Sequence, residues 1–265
     1  MGKIQVESCP ELSSLKDLKG ECPKELYYLG KWEAKIFEKC VGIVGSRRMT
    51  SYGLRVLEKM VPTLVQEGYT IVSGFMYGVD QTAHRLAVEC GGKTIGVLGW
   101  GIDEPLYGEE KDLASKMLVI SEWEDKKGAL WTFPRRNRIV AGLIQKLYVI
   151  EATVKSGSMI SVEWAEKLKR EIWAVPGPIT SKVSEGTNRL IAEGRARMWT
   201  GGTKEAKRST NNTEIYILLQ NEVLTIDELV RKTGRSAQEL GAELMMAMLR
   251  GEVSEKDGKY YVIEN

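Results

Sequence analysis

From about Val41 the apolar positions fall into short β-rich runs, each followed by a segment of helix-like character. The runs are CVGIVG, ending at Gly45, YTIVSG at Gly74, KTIGVLG at Gly99, KMLVISE at Glu122, KLYVIEA at Ala152 and EIWAVPG at Gly177. Several are almost wholly apolar, as strands buried on both faces are. Their alternation with helical segments predicts βαβ units, and so an α/β fold with a mostly parallel sheet and helices on both faces. Open sheets of this kind bind ligands outside the carboxyl ends of their strands, where strand order reverses. The strand ends are therefore the places to look for function.

The pattern changes at both flanks. Residues 1–40 read as turns and a small helix, a lead-in segment to a domain at 41–200. Residues 201–212 are polar, rich in Gly, Ser, Thr and Asn, and without apolar periodicity, which reads as a linker. Residues 213–265 suggest three helices and a hairpin, the outline of a small winged-helix domain. Its candidate recognition helix, SAQELGAELMMAMLR, carries Arg250 only at its end, beside Glu239 and Glu243. Leu240, Leu244, Met245, Met248 and Leu249 suit a core or a partner surface, so this helix is not expected to be the main DNA-binding element.

Composition narrows the classes. The chain has 265 residues, 43% hydrophobic, enough for one full core and a small second domain. No apolar run reaches the roughly 18–20 residues of a membrane span, and the first residues lack a secretory layout, so a cytoplasmic location and no membrane partner are expected. Cys9, Cys22, Cys40 and Cys90 are scattered and His84 is the single histidine, a poor supply for zinc or a histidine-based triad. The net charge of +2, from 38 basic and 36 acidic residues, leaves any nucleic-acid role to local clustering.

Four stretches carry candidate chemistry. The first strand runs into GSRRMTSYG, where Gly45 permits close approach, Ser46 offers a hydroxyl, and Arg47 or Arg48 a bidentate cation for phosphate. It is neither a dinucleotide G-x-G-x-x-G nor a triphosphatase loop, so bound NAD or ATP is disfavoured and no cofactor or metal is expected. At the second strand end, Ser73 and Gly74 precede Asp80, a good first-turn residue of a helix. His84 lies one helical turn on, and a packed or hydrogen-bonded histidine is favoured over a catalytic one.

The third stretch, WTFPRRNRIVAGL, places Phe133, Arg135, Arg136, Asn137 and Arg138 directly before an apolar helix-like run. Three guanidiniums so close need anions: either nucleic-acid phosphates, with Trp131 and Phe133 as base-stacking surfaces, or local carboxylates such as Glu122, Glu124 and Asp125. The fourth delivers Glu151 at a strand end, ahead of a donor-rich helix start at Ser156, Gly157 and Ser158. Glu151 is expected to orient the arginines and shape the pocket rather than to act as a base.

Taken in order, GSRRMTSYG, SGFMYGVDQTAH, GGKTIGVLGWGID, FPRRNRIVAGL, VIEATVKSGSM, AVPGP and EGTNRLIAEGRA resemble the DNA-processing protein A (DprA/Smf) family, from roughly Cys9 to Met198. The resemblance implies a Rossmann-like, dimeric, non-enzymatic protein that binds single-stranded DNA and loads the RecA recombinase during natural transformation or recombination. By matching motif it places the phosphate-binding turn at Gly45, Ser46 and Arg47, beside Ser73 and Gly74. The rest of the pocket would come from FPRRNR and from Ser156, Gly157 and Ser158. The chain departs from the family pattern at LYGEEKDL, after the third strand, and at Phe75-Met76-Tyr77, where smaller residues are usual. The latter either narrows the pocket or adds a stacking ring.

Two other classes compete. A related Rossmann group cleaves nucleoside monophosphates and carries P-G-G-x-G-T-x-x-E; here only Pro176-Gly177-Pro178 stands near it. A nucleotide-sensing module would hold a small phosphorylated ligand in the same pocket.

Overall fold

The computed structural model describes residues 1–201, 215, 218, 219, 222–249 and 253–262, which form two compact units, Met1–Thr203 and Lys204–Asn265. The first is built on a nine-stranded sheet. Its strands are β1 (Gly2–Gln5), β2 (Glu25–Leu29), β3 (Cys40–Val44), β4 (Thr70–Ser73), β5 (Thr94–Val97), β6 (Leu118–Ser121), β7 (Lys146–Val149), β8 (Glu171–Ala174) and β9 (Arg197–Met198). The spatial order is β1-β2-β6-β5-β4-β3-β7-β8-β9. All neighbours from β6 to β9 are parallel, and β1 and β2 are added antiparallel at one edge.

The helices α1 (Ser51–Gln66), α2 (Val79–Glu89), α3 (Gly108–Ala114), α4 (Thr132–Leu143), α5 (Gly157–Lys167) and α6 (Lys182–Ala192) connect the parallel strands. Successive side chains of a strand point to opposite faces, and that alternation sorts the core into two layers. Val41 and Ile43 of β3 and Tyr148 of β7 pack with Leu57, Met60 and Leu64 of α1 and Ala83 of α2. Cys40, Val44, Leu147 and Val149 pack on the other side with Ile139, Val140 and Leu143 of α4 and Val162 of α5. Each such buried aliphatic side chain contributes roughly 1.5–3 kcal/mol, so both layers hold the sheet firmly. A mostly parallel sheet covered on both faces is the arrangement the apolar runs predict.

Residues 1–40 differ from the sequence expectation of turns and a small helix. They supply β1 and β2, joined by a 3-10 segment, Pro10–Glu21, whose Leu12, Leu15 and Leu18 recur every three residues. A spacing of three matches the 3-10 period, and these leucines join the α4 layer.

The chain runs outward from β3 through β4, β5 and β6, then returns to place β7 on the other side of β3. Strand order thus reverses at β3, and a crevice opens beyond the carboxyl ends there.

In the second unit, α7 (Ile226–Thr233) starts in a capping box between Thr225 and Glu228 and ends at Gly234 in the left-handed conformation. It is followed by α8 (Ala237–Leu249) and an antiparallel sheet of β10 (Leu224–Thr225), β12 (Lys259–Val262) and β11 (Val253–Lys256), in that spatial order. Leu229, Leu240 and Leu244 are buried, whereas Met245 and Met248 are exposed. Ile215, Leu218 and Leu219 are helical, and the remainder of the expected first helix, the linker 202–212 and Arg250 lie outside the described residues.

Candidate functional site

A cavity of about 470 Å³ occupies the crevice where strand order reverses. Each wall comes from a segment that follows a strand. Gly45, Ser46 and Arg47 follow β3, and Gly74, Met76 and Asp80 follow β4. Phe133, Arg136 and Asn137 come from α4, and Ser156, Gly157, Ser158 and Ser161 from the start of α5.

The turn after β3 is held by its neighbour. Val79 N donates to Ser46 O at 3.2 Å, and Gly78, at φ +83, lies where an added Cβ would be 2.5 Å from the Ser46 and Arg47 carbonyl oxygens. Only glycine fits that close approach. Ser46 Oγ accepts from Arg48 N at 3.0 Å, leaving its own hydroxyl proton available. Arg47 is exposed and has no carboxylate within ion-pair distance among the described residues. Its guanidinium lies 5.4 Å from the Phe133 ring centre and 6.0 Å from that of Tyr77. Both are within cation–π range.

The helix α4 begins at Thr132, so the arginines lie inside its first turns instead of preceding it. Helical spacing then divides them. Arg135 and Arg138, three apart, share Glu122: Arg135 grips it with Nε and Nη2 at 3.2 Å each, and Arg138 Nη2 reaches it at 2.5 Å. Neither lines the cavity. Arg138 is 1% exposed, with Glu21 at 3.8 Å as a second carboxylate. Arg136 points the other way. Its Nη1 donates to the carbonyls of Gly74 and Val97, clamping the ends of β4 and β5, and a Cβ on Gly74 would strike its Nη2. Its Nε donates to Asn137 Oδ1 at 3.1 Å, and Asn137 Nδ2 donates to Gly157 O at 3.2 Å, tying α4 to the start of α5.

Burial pulls the Arg136 pKa down to about 10, with Asp80 opposing, so the group stays charged at neutral pH. Burial raises Asp80 to about 6 against the pull of Arg136. His84 is lowered to about 3, first by burial and then by Arg136. It is packed in the core: Thr94 Oγ1 donates to Ile71 O at 2.8 Å and so receives the His84 Nδ1 proton at 2.6 Å.

The start of α5 has no side-chain cap, and Ser158 Oγ donates to Gly45 O at 2.9 Å. Its first backbone N–H groups and the buried, unpartnered Ser156 Oγ make a donor-rich corner for an anion. With Arg47 and Phe133 on the same cavity, the arrangement suits a phosphate joined to a flat ring.

Several expected residues stand elsewhere. Ser73 faces the β3 side, and its Oγ donates to Ile43 O at 2.5 Å. Glu151 does not orient the arginines; it accepts from Thr50 N at 3.0 Å and from Thr50 Oγ1, pinning the start of α1. Thr50 announces itself as a cap, one residue before a helix and three before Gly53, whose N–H it accepts at 3.3 Å. Of Phe75-Met76-Tyr77, only Met76 lines the cavity. Phe75, at φ 58, turns into the core with its ring centre 5.8 Å from that of His84, and Tyr77 stays exposed beside Arg47. Ser161 was not anticipated, although it lies three residues after Ser158 and so on the same helical face. Leu130 was also missed; no polar signal marks it.

Among the described residues there is no group of three or more His, Cys, Asp or Glu placed to hold a metal ion, and no helix long and apolar enough to cross a membrane.

The family described as DNA recombination-mediator protein A matches residues 5–209. The DNA processing protein DprA of Streptococcus pneumoniae is 39% identical over 187 residues, covering 69% of this chain and 65% of that protein. Protein Smf of Synechocystis is 36% identical over 180 residues, 65% of this chain and 45% of that protein. The chain thus spans between 45% and 65% of the length of these curated relatives. Among solved structures, DNA processing protein A of S. pneumoniae superposes with a TM-score of 0.69 at 34% identity, over 76% of this chain and 71% of that one. The structure of the Helicobacter pylori protein, which describes its single-stranded DNA binding mode, gives 0.65 at 29% identity, over 75% and 91%.

Proposed function

The chain belongs to the DNA recombination-mediator protein A family, and from that premise we propose that it binds single-stranded DNA in the cavity at the strand-order reversal. The observation that carries this reading is Arg47. It is an exposed cation without a carboxylate partner among the described residues, on a cavity that also holds the open start of α5 and the Phe133 ring. A backbone phosphate sits against Arg47, the Ser46 hydroxyl and the α5 N–H groups, while a base meets Phe133. Gly45, Gly74, Asn137, Ser156, Gly157 and Ser158 shape the contact surface; Arg136 and Asp80 hold the strand ends in place.

In this reading the protein binds without catalysis; the one carboxylate lining the cavity, Asp80, is buried and feels the charge of Arg136. In this reading it acts in the cytoplasm as a homodimer that passes the strand to a RecA-type recombinase in transformation or recombination. Residues 41–200, with their lead-in 1–40, bind DNA; 201–212 link them to a winged-helix domain at 213–265 that serves protein contact or dimer support. One observation favours a second reading, a free nucleotide as ligand: a volume of about 470 Å³ lies in the range of small-molecule sites.

The test is single-strand binding across a salt series. Each phosphate neutralised on a single strand contributes about −0.7 to the slope of log affinity against log salt. Arg47→Ala should weaken binding and flatten the slope by about that amount. Unchanged affinity and slope in this variant would remove the cavity from the binding site.

A further inference from the structure

We propose that the rim stretch 126–131 holds the base of a second nucleotide, adjacent to the one in the cavity, with Trp131 as its stacking ring. The inference rests on the reading of the cavity as a single-strand site. A cavity of about 470 Å³ is of small-ligand size, so a longer strand must leave it across the rim. At that rim two large apolar side chains stand adjacent and unburied. Leu130 lines the cavity and is 94% exposed; Trp131 is 52% exposed. Two large apolar side chains left exposed next to each other in sequence, one of them on the cavity wall, offer a contact surface continuous with it.

The stretch is fixed in place. Thr132, fully buried, accepts from Ala129 N at 2.9 Å and donates to Ala129 O at 2.8 Å. Gly101 N donates to Lys126 O at 2.6 Å, and Trp123 meets Trp131 at 87° with ring centres 5.9 Å apart. A ring presented this way needs little further ordering on binding. Lys126 Nζ lies 5.2 Å from the Trp131 ring centre, placing a cation where the next phosphate would pass. An aromatic ring with a neighbouring cation, continuous with a phosphate-binding cavity, is the chemistry that takes successive bases of a single strand without regard to sequence.

Calorimetric titration with thymidine monophosphate and with unlabelled oligothymidylates of two to six nucleotides tests this. Wild-type affinity should rise between one nucleotide and two or three. Trp131→Ala should bind the monophosphate within about twofold of wild type, yet lose about 5- to 150-fold on the longer oligomers, the range measured for one stacked base. Trp131→Phe should restore most of that loss. Equal binding of every length by wild type and Trp131→Ala overturns the second site while leaving the cavity assignment standing. A loss as large on the monophosphate as on the oligomers also overturns it. If wild type binds no length at all, the cavity reading itself fails.

Discussion

The arginines of two short motifs do different work. Arg47 is open for an anion, Arg136 clamps two strand ends, and Arg135 and Arg138 share Glu122. That an arginine cluster and a carboxylate acceptor for it existed was legible in FPRRNR and SEWEDKKG. Which arginine went where was not, because it depends on the helix starting at Thr132 and on the helical rotation that follows. Removing one partner of a buried pair leaves an uncompensated charge. Glu122→Gln should therefore cost about 3 kcal/mol of stability by urea denaturation, with single-strand affinity of the folded protein little changed. His84 supplies a pH readout. Its pKa in the fold is about 3, against 6.5 unperturbed, so between those values the unfolded chain binds more protons. Its contribution to stability is complete above about 6.5 and declines as pH falls toward 3. Asp80 runs the opposite way, its raised pKa of about 6 making the folded state the better proton binder between 3.8 and 6. As the chain has one histidine, its proton resonances in NMR should stay those of a neutral, Nδ1-protonated ring down to pH 4. A midpoint near 6.5 in the folded protein would contradict this placement.

At the scale of elements, β3 to β8 were readable because strands buried on both faces are written as apolar runs, and β7 with Tyr148 and Val149 shows this plainly. β1 and β2 were not. β1 is the edge strand and β2 its inner neighbour; they are four and five residues long, their burial alternates or is partial, and the leucines between them follow a three-residue period. The turn after β3 was readable as small and polar, whereas its dependence on the start of α2 arises only when β3 and β4 lie side by side. Gly78→Ala tests that dependence. The substitution forces a methyl against the Ser46 and Arg47 carbonyls at a positive φ, and should cost about 1–3 kcal/mol in urea denaturation. Because it displaces the turn that carries Arg47, single-strand affinity should fall at the same time.

At the scale of the molecule, every predicted binding residue lies in Met1–Thr203. In the second unit, Leu240 and Leu244 of α8 are core residues, and its exposed side chains include methionines instead of a row of cations. A chain ending at residue 203 should keep single-strand affinity within about twofold of the full chain. The boundary between the two compact units, Thr203 to Lys204, falls within the polar stretch that separates two apolar patterns in the sequence. The measurement that bears most directly on the whole account is competition, at one salt concentration, between a single-stranded oligonucleotide, the duplex of the same sequence and the free nucleotide, for wild type and for Arg47→Ala. A narrow cavity with one stacking ring and a phosphate corner predicts that the single strand displaces both others, and that Arg47→Ala loses that preference. Duplex binding as tight as single-strand binding, or a preference unaffected by Arg47→Ala, would contradict it.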